Sequence, residues 1–265
     1  MRDLMNINWK RVINLFKMDL RKMVRGKVFY IMIGVSVFIP IMMLTQMPGV
    51  DSTLFLGGTS GGTSEAFGGG TMGLNFLWIL TGILLCIYIG TDYSTGFIKN
   101  IVTAHANKLD YIISKEMIAL VCNAILYIVY ILTLAIAGFA VASPLHIPSI
   151  MGFILYFVEL LISSTAMSAL IIMTNMIFRR LYGWSICFGS FIASGIIIMG
   201  IRMGLKSNGL DFIAKILNIT ITGSASLAEL EPNILSLLII VGISAVWLFV
   251  YSLIANRLMN TRDIL

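Results

Sequence analysis

The run 117–158, MIALVCNAILYIVYILTLAIAGFAVASPLHIPSIMGFILYFV, contains 42 residues and no Lys, Arg, Asp or Glu. One bilayer crossing takes about 20 apolar residues, so the run is too long for a single span and suits two. The break between them is Ser143-Pro144-Leu145-His146-Ile147-Pro148-Ser149, where two prolines and two serines form a turn. Span three is then 117–142 and span four 150–178, closed by Arg179 and Arg180.

Outward from this pair, the other gaps in charge fall into the same size class. Span one covers 28–47, with Pro40 tolerated as a kink. Span two covers 73–90 and span six 233–255. Span five fits 180–202, where Gly189 with Ala193 and Ser190 with Ser194 recur at the four-residue spacing that lets helix backbones approach closely. The expected fold is therefore all-α: a polytopic membrane protein of six transmembrane helices, with an amphipathic interfacial helix ahead of them. Residues 1–27 carry that helix, 28–255 the six-span domain and 256–265 a short tail. Within the domain lie an outer loop (48–72), a polar loop (91–116) and a mixed outer segment (201–232). Composition agrees, with 58% hydrophobic and 11% charged residues and a mean hydropathy of +0.97, against about 25% charged in an ordinary soluble domain. Six spans leave no stretch long enough for a soluble catalytic or nucleotide-binding domain of usual size, roughly 100 residues.

The net charge of +6 reads as topology, with no nucleic acid implied. Fifteen of the 18 basic residues fall on the side of the termini, and Arg202, Lys206 and Lys215 on the other. That asymmetry places both termini in the cytoplasm. The apolar run after residue 27 lacks a small-residue cleavage site, so span one is expected to be retained as a signal anchor. Cys86, Cys122 and Cys187 lie in apolar runs and read as small buried hydrophobes; no disulfide, metal or cofactor is expected. Residues 57–64, GGTSGGTS, resemble a phosphate-binding loop in outline, but Thr63 stands where that loop needs Lys. The stretch reads as a linker. His105 and His146 have no Cys or carboxylate at ligand spacing, and no intramembrane protease pattern is present.

Three features carry candidate function. In 9–25, Trp9, Val12, Ile13, Phe16, Leu20, Met23 and Val24 recur at helical spacing, with Lys10, Arg11, Lys17, Arg21, Lys22 and Arg25 on the remaining arc. Such a helix lies among acyl chains with its basic arc on anionic headgroups, making membrane lipids its partner; a generic anchor has the same periodicity. In the loop 91–116, Ile98, Ile101, Val102 and His105 form an apolar ridge on a short helix, facing the bilayer or a partner protein. Finally, Glu159 is the acidic residue inside a span, about 13 Å deep by helical rise. A carboxylate facing lipid there is costly, so it faces the bundle or a wet cavity. It either lines a cargo path that attracts a cationic peptide or drug, or plays a structural part, protonated or hydrogen-bonded to a Ser/Thr such as Ser163. The mixed segment 201–232, with Phe212, Ile213, Ile216, Leu217 and Ile219, suits an interfacial or re-entrant helix.

By residue type, the loop resembles the coupling region of the ATP-binding-cassette type-2 permeases. In those exporters an acidic residue leaving span two precedes Ser/Thr, Gly, an aliphatic, Lys and Asn, then a short helix and a Ser-Lys pair opening span three. Asp92, Thr95, Gly96, Ile98, Lys99, Asn100, Ser114 and Lys115 match in order. The sequence departs in having Asp where Glu is commoner, and Ala106-Asn107-Lys108 for a Pro/Ser-Arg turn. The resemblance implies a permease subunit driven by separate ATP-binding-cassette ATPase subunits, forming a homodimer or a heterodimer with a related permease. It implies that Gly96, Ile98, Lys99, Asn100, Ile101, Val102 and His105 form the ATPase-coupling element, and that 201–232 dips back as an outer lid. Cargo in the family includes bacteriocin-like amphipathic peptides, lipophilic antibiotics and lipid-linked glycans; small size and short loops look most like the peptide-immunity and drug-export branches. Rival readings are a six-span sensor or scaffold without transport, and an ion-coupled transporter, which would need more intramembrane ionisable groups.

The asymmetry of basic residues predicts a labelling pattern. In a cysteine-free background, Ser60→Cys and Ser207→Cys should react with an impermeant maleimide on intact cells and Thr103→Cys should not; labelling at position 103 would reverse the topology.

Overall fold

Two local signals set the first bend of the chain. Asn8 Oδ1 accepts the Arg11 N–H at 3.3 Å, and the Asn8 carbonyl accepts the Val12 N–H at 3.0 Å, which starts α1 (Trp9–Arg25). Gly26 then leaves helical geometry for one extended residue, φ −78° and ψ 126°, and α2 (Lys27–Gln46) begins at once. The computed structural model describes residues 7–46, 72–98, 108–141, 145, 147, 149–178, 219–220 and 234–261. Its other helices are α3 (Met72–Ser94), α4 (Leu109–Ala140), α5 (Ile150–Phe178) and α6 (Ile234–Thr261). The described residues contain helices and no strand.

Helices α2 to α6 are each long and apolar enough to cross a membrane. They account for five of the six expected spans; the expected span 180–202 lies outside the described residues. Ser149 Oγ accepts the Gly152 N–H at 3.3 Å, so the turn read from Ser143 to Ser149 ends in a serine cap on α5. The ends of other helices differ from the charge gaps. α3 continues to Ser94, α4 begins at Leu109 and α6 continues to Thr261. The 32 residues of α4 rise about 48 Å, against a hydrocarbon core of about 30 Å. Its first turns, with Asp110, Lys115 and Glu116, therefore project past the apolar stretch. Charge marked where the apolar stretch ends, and the helix runs on.

α3 and α5 form the centre, with 67% and 61% of their apolar stretches buried, against 28% for α2 and 11% for α6. Lipid is as apolar as leucine, so helices in a bilayer are held by close packing and interhelical hydrogen bonds. Both occur here. Trp78 Nε1–H donates to Tyr127 Oη at 2.6 Å and Thr81 Oγ1–H to Asn123 Oδ1 at 2.6 Å, joining α3 to α4. α5 then reaches three neighbours: Ser168 accepts from Asn123 of α4 at 3.3 Å, Asn175 donates to Cys86 Sγ of α3 at 3.1 Å, and Ser163 pairs with Ser244 of α6 at 3.2 Å. Around these bonds, Leu84, Leu126, Tyr130, Tyr156 and Leu160 fill the core.

α5 and α6 run parallel. Met176 near the end of α5 meets Tyr93 of α3, and Met259 near the end of α6 meets Lys108 beside the start of α4. In the segment 201–232, the Ile219 carbonyl accepts from Trp247 Nε1–H at 2.8 Å. Trp247 is about 20 Å along α6 from its start, so Ile219 lies beside the middle of that helix; the remaining apolar residues of the expected lid helix lie outside the described residues.

Asn123 joins α3 to α5 through two hydrogen bonds. Intramembrane bonds average about 0.6 and reach about 1.7 kcal/mol, so Asn123→Leu should lower stability in detergent by about 1–2 kcal/mol, with Thr81→Val and Ser168→Ala each costing less. Thermal unfolding of the purified variants checks the order.

Candidate functional site

Most of the buried charged residues gather at one end of the bundle, where α1, the starts of α2 and α4, and the ends of α3, α5 and α6 meet. Asp19 is the acidic residue of α1, and helical spacing sets it between Val12 and Met23 on the buried face. Asp92 lies in the last turn of α3 and Lys115 in the second turn of α4. The three converge. Lys115 Nζ donates to Asp19 Oδ1 at 2.9 Å and to Asp92 Oδ2 at 2.7 Å, while Lys22 Nζ donates to Asp92 Oδ1 at 2.5 Å. The Tyr111 hydroxyl donates to Asp92 Oδ2 at 3.1 Å and the Ser114 hydroxyl to Asp19 Oδ2 at 3.2 Å. Each carboxylate oxygen therefore has a donor. The Lys115 ammonium also lies 4.9 Å from the Tyr111 ring centroid.

Two further contacts hold α1 along its length. Asp110 of α4 accepts from the Asn8 N–H and from Arg11 Nη1, both at 3.3 Å. At the other end, the Tyr88 hydroxyl donates to the Met23 carbonyl at 3.2 Å. It can reach because residue 26 is glycine: a Cβ there would meet Tyr88 Oη at 2.8 Å. The apolar stripe expected to lie wholly in lipid is therefore divided. Val12 and Met23 are buried and Phe16 and Leu20 pack against the core, while Trp9, Ile13 and Val24 stay exposed beside the exposed Lys10, Lys17, Arg21 and Arg25.

The loop read as a coupling element begins four residues after Asp92. Gly96 adopts φ +70°, a left-handed turn that glycine takes without strain, and helical backbone resumes at Phe97 and Ile98. Ile98 is 1% exposed. It does not present an outward ridge: it belongs to an apolar cluster with Ile89 of α3, Tyr111 and Ile112 of α4, Met176 of α5, and Ala255 and Met259 of α6. Lys99, Asn100, Ile101, Val102 and His105 lie outside the described residues. At the far end of the loop, Lys108 Nζ donates to the Met259 carbonyl at 2.5 Å, a cation on the last turn of α6. Ser252 of α6 donates to Glu116 of α4.

Glu159 is fully buried in α5, facing the bundle and away from lipid, as the cost of exposing a carboxyl group to hydrocarbon demands. Tyr156, one turn earlier, is within electrostatic reach of Glu159, Tyr127 and Tyr130. Ser163, one turn later, is the residue that pairs with Ser244. The described residues contain no group of three or more His, Cys, Asp or Glu able to hold a metal. Sequence reasoning missed the Asp19–Lys115–Asp92 cluster. Its signal was present, since an aspartate interrupts the apolar arc of α1, but only tertiary contact shows that a lysine 96 residues away meets it.

A family model described as "ABC-2 family transporter protein" matches residues 15–196, more than half of the chain. No curated protein and no solved structure matches it.

Ile98 and Gly96 answer to different measurements. Ile98→Asp places a carboxylate in a closed apolar cluster without a partner and should remove most of the folded protein from the membrane, whereas Ile98→Leu should retain it. Gly96→Ala should cost about 1–2 kcal/mol and Gly96→Asn less, read by thermal unfolding.

Proposed function

Because the chain belongs to the ABC-2 family of transporter proteins, and is thereby a membrane component of an ATP-binding-cassette system, we propose that it is the permease subunit of an exporter that moves an amphipathic peptide, an antibiotic or a lipid-like molecule. ATP is hydrolysed on separate ATPase subunits, and the permease pairs with a second copy or a related chain. Both termini face the cytoplasm, and the exposed apolar and basic sectors of α1 rest on anionic lipid.

One observation carries this reading: both ends of the loop 91–116 are fastened to the spans. Ile98 is seated among α3, α4, α5 and α6, and Lys108 holds the end of α6. An ATPase bound to the segment between them would move four helix ends at once. Lys99, Asn100, Ile101, Val102 and His105 are assigned to that contact. Ile98 transmits it from within, and Gly96 lets the chain turn into it. Glu159 is assigned to the cargo path, where a buried carboxylate favours a cationic cargo.

Co-expression with an ATP-binding-cassette ATPase tests the assignment. Ile101→Asp with Val102→Asp should leave the permease inserted but lose ATPase co-purification and ATP-driven export; normal co-purification and export in the double variant would refute it. Glu159→Gln should selectively reduce export of cationic cargo at unchanged protein level. If Glu159→Gln matches wild type while Glu159→Leu lowers assembly, Glu159 belongs to packing alone.

A further inference from the structure

Asp19, Lys115 and Asp92 stand on three helices and are 5%, 2% and 1% exposed. One ammonium serves two carboxylates, so the buried trio carries a net charge of −1. Lys22, whose side chain is 43% exposed, supplies the balancing charge from the rim. Such a cluster is a poor source of stability, because desolvation offsets most of the attraction. Its effect is on movement. Drawing α1 away from α4 leaves Asp19 a buried charge without its counter-ion, and drawing the end of α3 away from α4 leaves Asp92 with Lys22 of α1 alone. The middle of α1, the end of α3 and the start of α4 are therefore tied by charge, while the outer residues of α1 are exposed.

We propose that Lys115 is a positioning residue that ties α1 to the exit of α3, so that a displacement applied after Gly96 is delivered to α1 together with the spans. The proposal rests on the reading of 91–116 as the ATPase-facing loop, but the tie itself is measurable on the permease alone.

Asp19→Asn is the mild variant, since Asp92 keeps both Lys115 and Lys22. In lipid nanodiscs, the amides of residues 9–25 should exchange about tenfold faster, with those of α3 and α4 unchanged. The ATPase should still co-purify, and ATP-driven export should fall about tenfold. Lys115→Met strands two buried carboxylates on one lysine and should lower the amount of folded protein. Adding Asp19→Asn restores the charge balance through Asp92 and Lys22, so the amount should recover while α1 exchange stays fast and export stays low. Wild-type α1 exchange in Asp19→Asn would overturn the proposal, and so would wild-type export in the double variant. If the double variant fails to accumulate, Asp19→Asn decides alone. Absence of ATP-driven export from the wild-type chain with its ATPase would sink the transport reading instead, and α1 exchange would still test the tie.

Discussion

A lysine held out of water between two carboxylates is expensive to form and more expensive to break, and the end of the bundle where Lys115 lies is arranged around that fact. Removing one partner of such a buried pair costs about 3–5 kcal/mol, so Asp19 and Asp92 must both arrive correctly. The cap at Asn8 and the break at Gly26 fix the two ends of α1. The bare backbone of Gly26 lets Tyr88 reach Met23, which sets α1 against α3. Asp110 fixes the outer end of α1 through Asn8 and Arg11. Each of these contacts is weak alone, but together they leave α1 one position, in which Asp19 meets Lys115.

Deeper in the bundle the interactions change in kind. Asn123, Thr81, Ser168, Ser163 and Ser244 are neutral, and each finds a partner across a helix boundary. This is the arrangement expected where the surroundings are hydrocarbon, since a neutral hydroxyl can be satisfied by one neighbour and a charge cannot. Glu159 departs from the rule, and its full burial on α5 shows the same constraint from the other side: the helix is rotated so that no part of the carboxyl meets lipid.

The five described spans were legible because charge is so costly in a bilayer that its gaps trace the helices, and the break read at 143–149 divided the longest gap between α4 and α5. The family was legible from the order Asp92, Thr95, Gly96, Ile98, Ser114, Lys115. Helix ends were not, since nothing in hydropathy stops α4 from continuing through Lys115 to Leu109. The direction faced by Ile98 was not legible either. A three-to-four residue period identifies one apolar face but not what covers it, and here the ends of α3 to α6 cover Ile98. Asp19 was hidden for a related reason: counting the basic residues of α1 described its outer arc, while its inner arc depends on a residue of α4 that the sequence places far away.

These two classes of contact divide the molecule into parts that differ in freedom. Exchanging one neutral hydrogen bond for another in the middle of the bundle costs little, since each is worth about 0.6 kcal/mol on average. The Asp19–Lys115–Asp92 cluster offers no such exchange, because no other described cation lies in contact with Asp19. On the proposed reading, a displacement at Ile98 meets a unit made of the ends of α3 to α6 together with α1. Beyond that unit the helices are joined by contacts that can be remade. On the proposed reading of 91–116, rearrangement between helices falls in the middle of the bundle, where the polar contacts are neutral.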